Sequence, residues 1–348
     1  MATGFVNWPK RAKHGRLGTV NKLKNSPVIK TIGASRILLI GVIIVMYAIF
    51  AILTPIMRGG ATFVSKERLL SALNYAYFIG FLGLGVTFVI STGGIDFSIG
   101  PVMFTAALVS GYCLNKYQMP LVVCLLLSLA VGAIFGVING FFVTRLYLPS
   151  FITSMASMQI AKGFGSVFTG TQSVSWPAAG TANSGFRYLV KWGNIPTGLI
   201  CLAVVAILCA ILMHKTKAGR YILCIGSNRE AVRLSGVNTK KWEMLAYILC
   251  GLLAGMAAIF YVGAYTTVQP GLGDTFNNEA IAACVMGGTS MAGGTASILG
   301  TVIGALIVAL MQEGILAMGF TISYQYVLTG IIVLVAVSAE ALSRRKKN

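Results

Sequence analysis

The chain has 348 residues, of which 56% are hydrophobic, 10% are charged and 41 are glycine, and its mean hydropathy is +0.82. That composition excludes a soluble domain of this size and specifies a polytopic helical membrane protein. The net charge of +19 does not indicate nucleic acid, because the basic residues cluster beside apolar runs: eight of 27 precede Ile37, seven lie within 215–241 and four close the chain. The positive-inside rule expects this of cytoplasmic segments, and a nucleic-acid face has no need of it.

Residues 1–36 read as a basic cytoplasmic tail without signal-peptide form, resting on anionic lipid headgroups. Ten apolar segments follow, at 37–54, 71–91, 100–115, 119–144, 150–169, 197–213, 243–263, 279–291, 296–318 and 324–341. Most approach the roughly 20 residues that cross a bilayer core, and the ten-residue alternation of an outer-membrane barrel is absent. The expected architecture is therefore all-α, with a transmembrane domain over 37–341 and a second basic cytoplasmic tail at 342–348. Ten crossings bring both tails and the hydrophilic island 214–242 to the cytoplasm, whereas an odd number expels the basic C-terminus. Arg58, Lys66 and Arg68 then fall on the outer side, against the rule.

After the second segment, STGGIDFSIGP places Gly93 and Gly94 at a turn, with Asp96 and Ser98 to satisfy the free amides of the next helix. A proton-relay role for Asp96 is the alternative. Gly93-Gly94 precedes Gly100 by the same interval that separates Gly287-Gly288 from Gly294, a weak internal repeat of the kind found in transporters. Along the fifth segment Ser150, Ser154, Ser157, Ala161 and Gly165 share one face, which suits either a hydrated passage or close helix packing. Lys162, well inside that segment, has to snorkel or face water.

Within the island, Asn228 is placed to cap a short helix running to Leu234 or Ser235, with Glu230 in its first turn and Gly236 ending it. Exposed Arg229, Glu230 and Arg233 beside Ala231, Val232 and Leu234 fit either a groove on a partner or a plain surface helix. Glu279 reads as first-turn charge on the eighth segment. Glu313 has no evident partner.

Seven cysteines without CxxC spacing read as small buried hydrophobes, and neither they nor the two histidines form a metal-ligand set. No GxxxxGK[ST], HExxH or GxSxG occurs, so no catalytic residue, cofactor or nucleotide hydrolysis is expected on this chain.

Four blocks in order, STGGIDFSIG (91–100), GVINGFFVTRLYLPSFITSMASMQIAKG (136–163), GRYILCIGSNREAVRLSGVN (219–238) and EAIAACVMGGTSMAGG (279–294), resemble the permease subunits of ribose/galactose-type ABC sugar importers. The resemblance implies a type II importer subunit in the bacterial cytoplasmic membrane, paired with a second permease, usually a copy of itself. It further implies two cytosolic ATP-binding cassette subunits and an extracytoplasmic sugar-binding protein. By position, Asn228–Gly236 resembles the helix that couples to the ATPase, and the fifth segment, with Thr153, Ser154, Ser157 and Ala161, resembles a pathway-lining helix. SMASM and CIGSN depart from the usual sugar-permease pattern. A nucleoside or other small-solute permease, an ion-coupled carrier and a membrane scaffold are the competing readings.

Overall fold

The computed structural model describes residues 34–193 and 195–345; the N-terminal tail and the last three residues lie outside them. In the first half of the chain, α1 spans Ala34–Met57, α2 Lys66–Ser91, α3 Ile99–Lys116, α4 Leu121–Arg145, α5 Ser150–Phe168 and α6 Thr197–Lys215. Then come α7 (Lys217–Leu234), α8 (Thr239–Ala264), α9 (Asp274–Met286), α10 (Ile298–Ala317) and α11 (Ser323–Arg345). Ten of these coincide with the ten apolar segments, and α7 is the island. Among the described residues six helices are long and apolar enough to cross a membrane: α1, α2, α4, α6, α8 and α10.

α2 is the axis of the subunit. It is apolar all round, so it has no face to give to water, and every residue from Tyr75 to Ser91 is buried against α6, α8, α9 and α10. Toward its C-terminal end the Thr87 hydroxyl is met by the Thr301 hydroxyl of α10 at 2.9 Å. α4 and α8 pack along a glycine seam. Gly132 and Gly136 on one helix meet Gly251 and Gly255 on the other so closely that a Cβ at Gly251 would overlap the Gly132 carbonyl oxygen. In lipid, where there is no hydrophobic drive between helices, such backbone contact supplies the packing energy. The exposed leucine, isoleucine, valine and phenylalanine side chains of α1, α4, α5, α6 and α11 form the outer apolar surface.

At one end of the bundle the connection between α5 and α6 folds into a cap that the apolar pattern did not suggest. Val174–Ser175 (β1) pairs antiparallel with Thr267–Val268 (β2). Trp176 donates to the Ala107 carbonyl (3.1 Å), and Arg187 donates to the carbonyls of Pro177 (2.7 Å) and Gly263 (3.0 Å) and to the Thr266 hydroxyl (3.1 Å). α7 sits at the opposite end. The expectation of one short helix in the island falls short there, because helix begins at Lys217, capped by the Thr216 hydroxyl, and is only interrupted at Asn228 (φ −160°, ψ 95°).

Candidate functional site

Asn228 leaves helical geometry and its side-chain oxygen accepts from Ala231 N at 3.0 Å, which starts the second piece of α7; Ser235 ends it and Gly236 (φ +82°) turns the chain away. Ala231, Leu234 and Ser235 are exposed, and Glu230 and Arg233 pair on the outer surface at 2.5 Å. That contact holds the Glu230 carboxyl below its ordinary value. Arg229 is half-exposed and turns back to the buried Glu243 of α8 at 2.7 Å. The second piece of α7 therefore presents Leu234 to the outside and uses Arg229 as its anchor.

Behind this platform lies a backbone junction. Gly226 of α7 is wedged between the end of α2 and the loop following α9, and a Cβ there would overlap the Ser91 carbonyl oxygen and the Gly294 amide. The same two groups are joined by a Gly294 N to Ser91 O bond of 3.0 Å. Gly93 (φ +85°) turns the chain after α2 and Gly288 (φ +91°) turns it after α9, while Gly287 is still αR and Gly94 lies against the Tyr247 hydroxyl. The glycines six residues further on differ, since Gly100 is inside α3 and Gly294 is left-handed (φ +79°).

Asp96 caps its own turn, accepting from Ser98 N (2.8 Å) and the Ser98 hydroxyl (2.6 Å), and it also accepts from Asn139 of α4 at 3.2 Å. Both Asp96 and Asn139 are buried. Ser98, though at the N-cap, makes no side-chain cap bond. Asn277 of α9 does that work instead, accepting from Gly100 N at 2.7 Å and donating to Phe97 O at 2.5 Å.

The small-residue stripe of α5 points inward. Thr153, Ser154, Ser157, Ala161 and Gly165 are all buried, with Ser150 accepting from Ile95 N (3.1 Å) and Thr105 of α3 donating to Ala161 O (2.7 Å). Within the subunit it packs against α3, where the lack of bulk lets that helix come close. The solvent-accessible side of α5 carries Gln159 and Lys162 among apolar residues. Lys162 pairs with Asp274 of α9 at 2.7 Å, with side-chain exposures of 26% and 48%, and Asn278, one turn along α9, is also exposed. Glu279 is not in the first turn, because α9 starts at Asp274. It is buried, accepting from the Tyr75 hydroxyl (2.5 Å) and from Gln325 of α11 (3.0 Å). Glu313 is paired with Arg68 at 2.9 Å, which also accounts for one of the misplaced outer cations. All seven cysteines are free; Cys224 is exposed and Cys201 half-buried, so these two depart from the buried-hydrophobe reading.

The sequence profile of the family described as "Branched-chain amino acid transport system / permease component" matches residues 68–337. The ribose import permease protein RbsC of Escherichia coli K12 is 32% identical over 85% of this chain and 90% of its own length. RbsC of Bacillus subtilis is 33% identical over 87% and 90%, and the xylose transport system permease protein XylH of Haemophilus influenzae is 29% identical over 89% and 96%. No solved structure matches.

Proposed function

This chain belongs to the branched-chain amino acid transport system / permease component family, and we propose that within it the chain is the membrane-spanning subunit of an ATP-driven sugar importer. The names of its relatives favour a monosaccharide such as ribose, galactose or xylose. Ten helices cross the bacterial cytoplasmic membrane with both termini and α7 in the cytoplasm, as the basic clusters at 1–36, 215–241 and 344–347 favour. Two copies enclose the passage, two cytosolic ATPase subunits bind below, a sugar-binding protein delivers from outside, and lipid surrounds the rest.

The observation that carries this reading is a polar strip on an otherwise apolar surface, in which Gln159, Asp274 and Asn278 are exposed and half-buried Lys162 pairs with Asp274. Each charged group at bilayer depth costs about 2.5–3.5 kcal/mol in hydrocarbon, so the strip faces water. A passage shared with a second copy supplies that water. At the cytoplasmic end, residues 228–236 present a surface for the ATPase, and the Gly226 junction ties that surface to the ends of α2 and α9. Closure of the ATPase pair then shifts α7, and alternating access follows as the two bundles rock.

The ion pair Lys162–Asp274 is also the kind of group an ion-coupled carrier uses, so the test separates the two. The chain is purified with the ATPase and binding protein encoded beside it and reconstituted in vesicles. Sugar accumulation that requires both ATP and the binding protein is the expected result; accumulation driven by an ion gradient without nucleotide overturns the importer.

A further inference from the structure

Glu279 sits where two clefts meet. The larger, about 650 Å³, opens between α9 and α11 and is lined by Thr275, Asn278, Glu279, Tyr326 and Thr329 before it becomes apolar toward Val337. The smaller, about 190 Å³, lies on the aromatic side of the same carboxylate, among Tyr75, Tyr261, Tyr265, Phe276 and Gln312. The larger lies within the size range of small-ligand pockets, and the smaller extends it on the far side of Glu279. The bonds from Tyr75 and Gln325 leave the Glu279 carboxyl with capacity for further partners, since a carboxyl oxygen has two lone pairs and each is met here by one donor.

Two further polar atoms at these clefts have no partner. The hydroxyl of Thr329, a residue 5% exposed, and Gln312 Oε1 are buried without a hydrogen bond. A buried unsatisfied polar group is costly, so native proteins leave few of them. Here they flank one carboxylate and a wall of tyrosine and phenylalanine rings. Acceptors for several hydroxyls beside flat apolar faces are the chemistry that recognises a monosaccharide.

We propose that the Glu279 junction is a sugar-contact site within the permease, in which Glu279, Thr329 and Gln312 bond solute hydroxyls while the tyrosine wall meets the ring's apolar face. The inference rests on the sugar-import reading above. Because Gln325 belongs to α11 and Tyr75 to α2, the site closes only while α11 stays against α9. A solute there reads the same helix contact that an opening movement would break, so the permease adds its own selection to that of the delivery protein.

The test uses the full complex in vesicles, with ATP and binding protein, and radiolabelled D-ribose, D-xylose, D-fructose and D-galactose in parallel. Glu279→Gln and Thr329→Val are compared with wild type, and Thr329→Ser, which keeps the hydroxyl, controls for folding. Expected are a rise of at least tenfold in the half-saturating sugar level, or a changed ranking of the four sugars, in Glu279→Gln and Thr329→Val, with Thr329→Ser near wild type. Normal uptake with ranking and half-saturation unmoved in both variants overturns the site and leaves the importer standing. Equal loss in Thr329→Val and Thr329→Ser also overturns it, because only shape is then at stake. A wild-type complex that accumulates none of the four overturns the import reading and the site with it.

Discussion

Gly226 shows how a single missing side chain joins three parts of this molecule. Replacing it with alanine drives a methyl group into the Ser91 carbonyl and the Gly294 amide, both of them backbone and neither free to swing aside. Overpacking of that kind costs about 1–3 kcal/mol, so Gly226→Ala should lower the thermal unfolding midpoint. It should also weaken co-purification with the ATPase subunits, because α7 is pushed off its seat. Unchanged uptake would mean that α7 does not transmit motion through this junction. Asp96→Ala leaves the buried Ser98 amide without its acceptor, while Asn139 keeps its bond to the Ser98 hydroxyl; the loss is about 1–3 kcal/mol, again read as a lower midpoint. That Asp96 caps its own turn was legible, because the cap lies two residues away along the chain. Asn139 was not, since its bond to Asp96 spans 43 residues and depends on how α4 docks. Glu313 and Arg68, separated by 245 residues, stayed unreadable for the same reason.

Helices divide into those held by shape and those held by the bilayer. The α4–α8 seam is of the first kind, and Gly251→Leu should separate the two backbones, with a stability loss at or above the upper end of about 1–3 kcal/mol. Gly41, on α1, has open space around it; Gly41→Ala should be neutral or slightly stabilising, since alanine is the better helix former by roughly 1 kcal/mol. Unfolding of purified variants in detergent distinguishes the two outcomes. The half-exposed Lys162–Asp274 pair adds little stability, about 0–1 kcal/mol, yet Lys162→Met should cut sugar uptake sharply if water runs past it. On α7, the Glu230 carboxyl is held low by Arg233, so the pair remains charged at neutral pH and loosens only as pH falls through that lowered value. The all-helical character was legible in the apolar runs because hydropathy is a local property. They could not announce that the serine stripe of α5 packs against α3 while Gln159 and Lys162 face out, since a stripe of small residues serves either purpose until its neighbours are known.

On the scale of the whole molecule, Gln159 and the Lys162–Asp274 pair interrupt the apolar exposed side of α5, and under the proposed two-copy assembly a second copy should cover them. Cysteines introduced at Met155 or Gln159 should form disulfide-linked dimers in native membranes under mild oxidation, whereas a cysteine at Ile44 on the lipid-exposed side of α1 should not. Cross-linking only at Ile44 would reverse the packing proposed for the pair. The cap held by Arg187 and the two-stranded pairing left no apolar signature in the sequence by which to be found. The enclosure of α2 has a consequence during synthesis. Its partners for Thr87 and Ser91, Thr301 and Gly294, emerge from the ribosome about two hundred residues after it does. Until then the nascent chain carries a core helix with nothing yet made to sheathe it, so C-terminally shortened products ending before α8 should be short-lived targets of membrane quality control in pulse-chase labelling, while those ending after α10 persist.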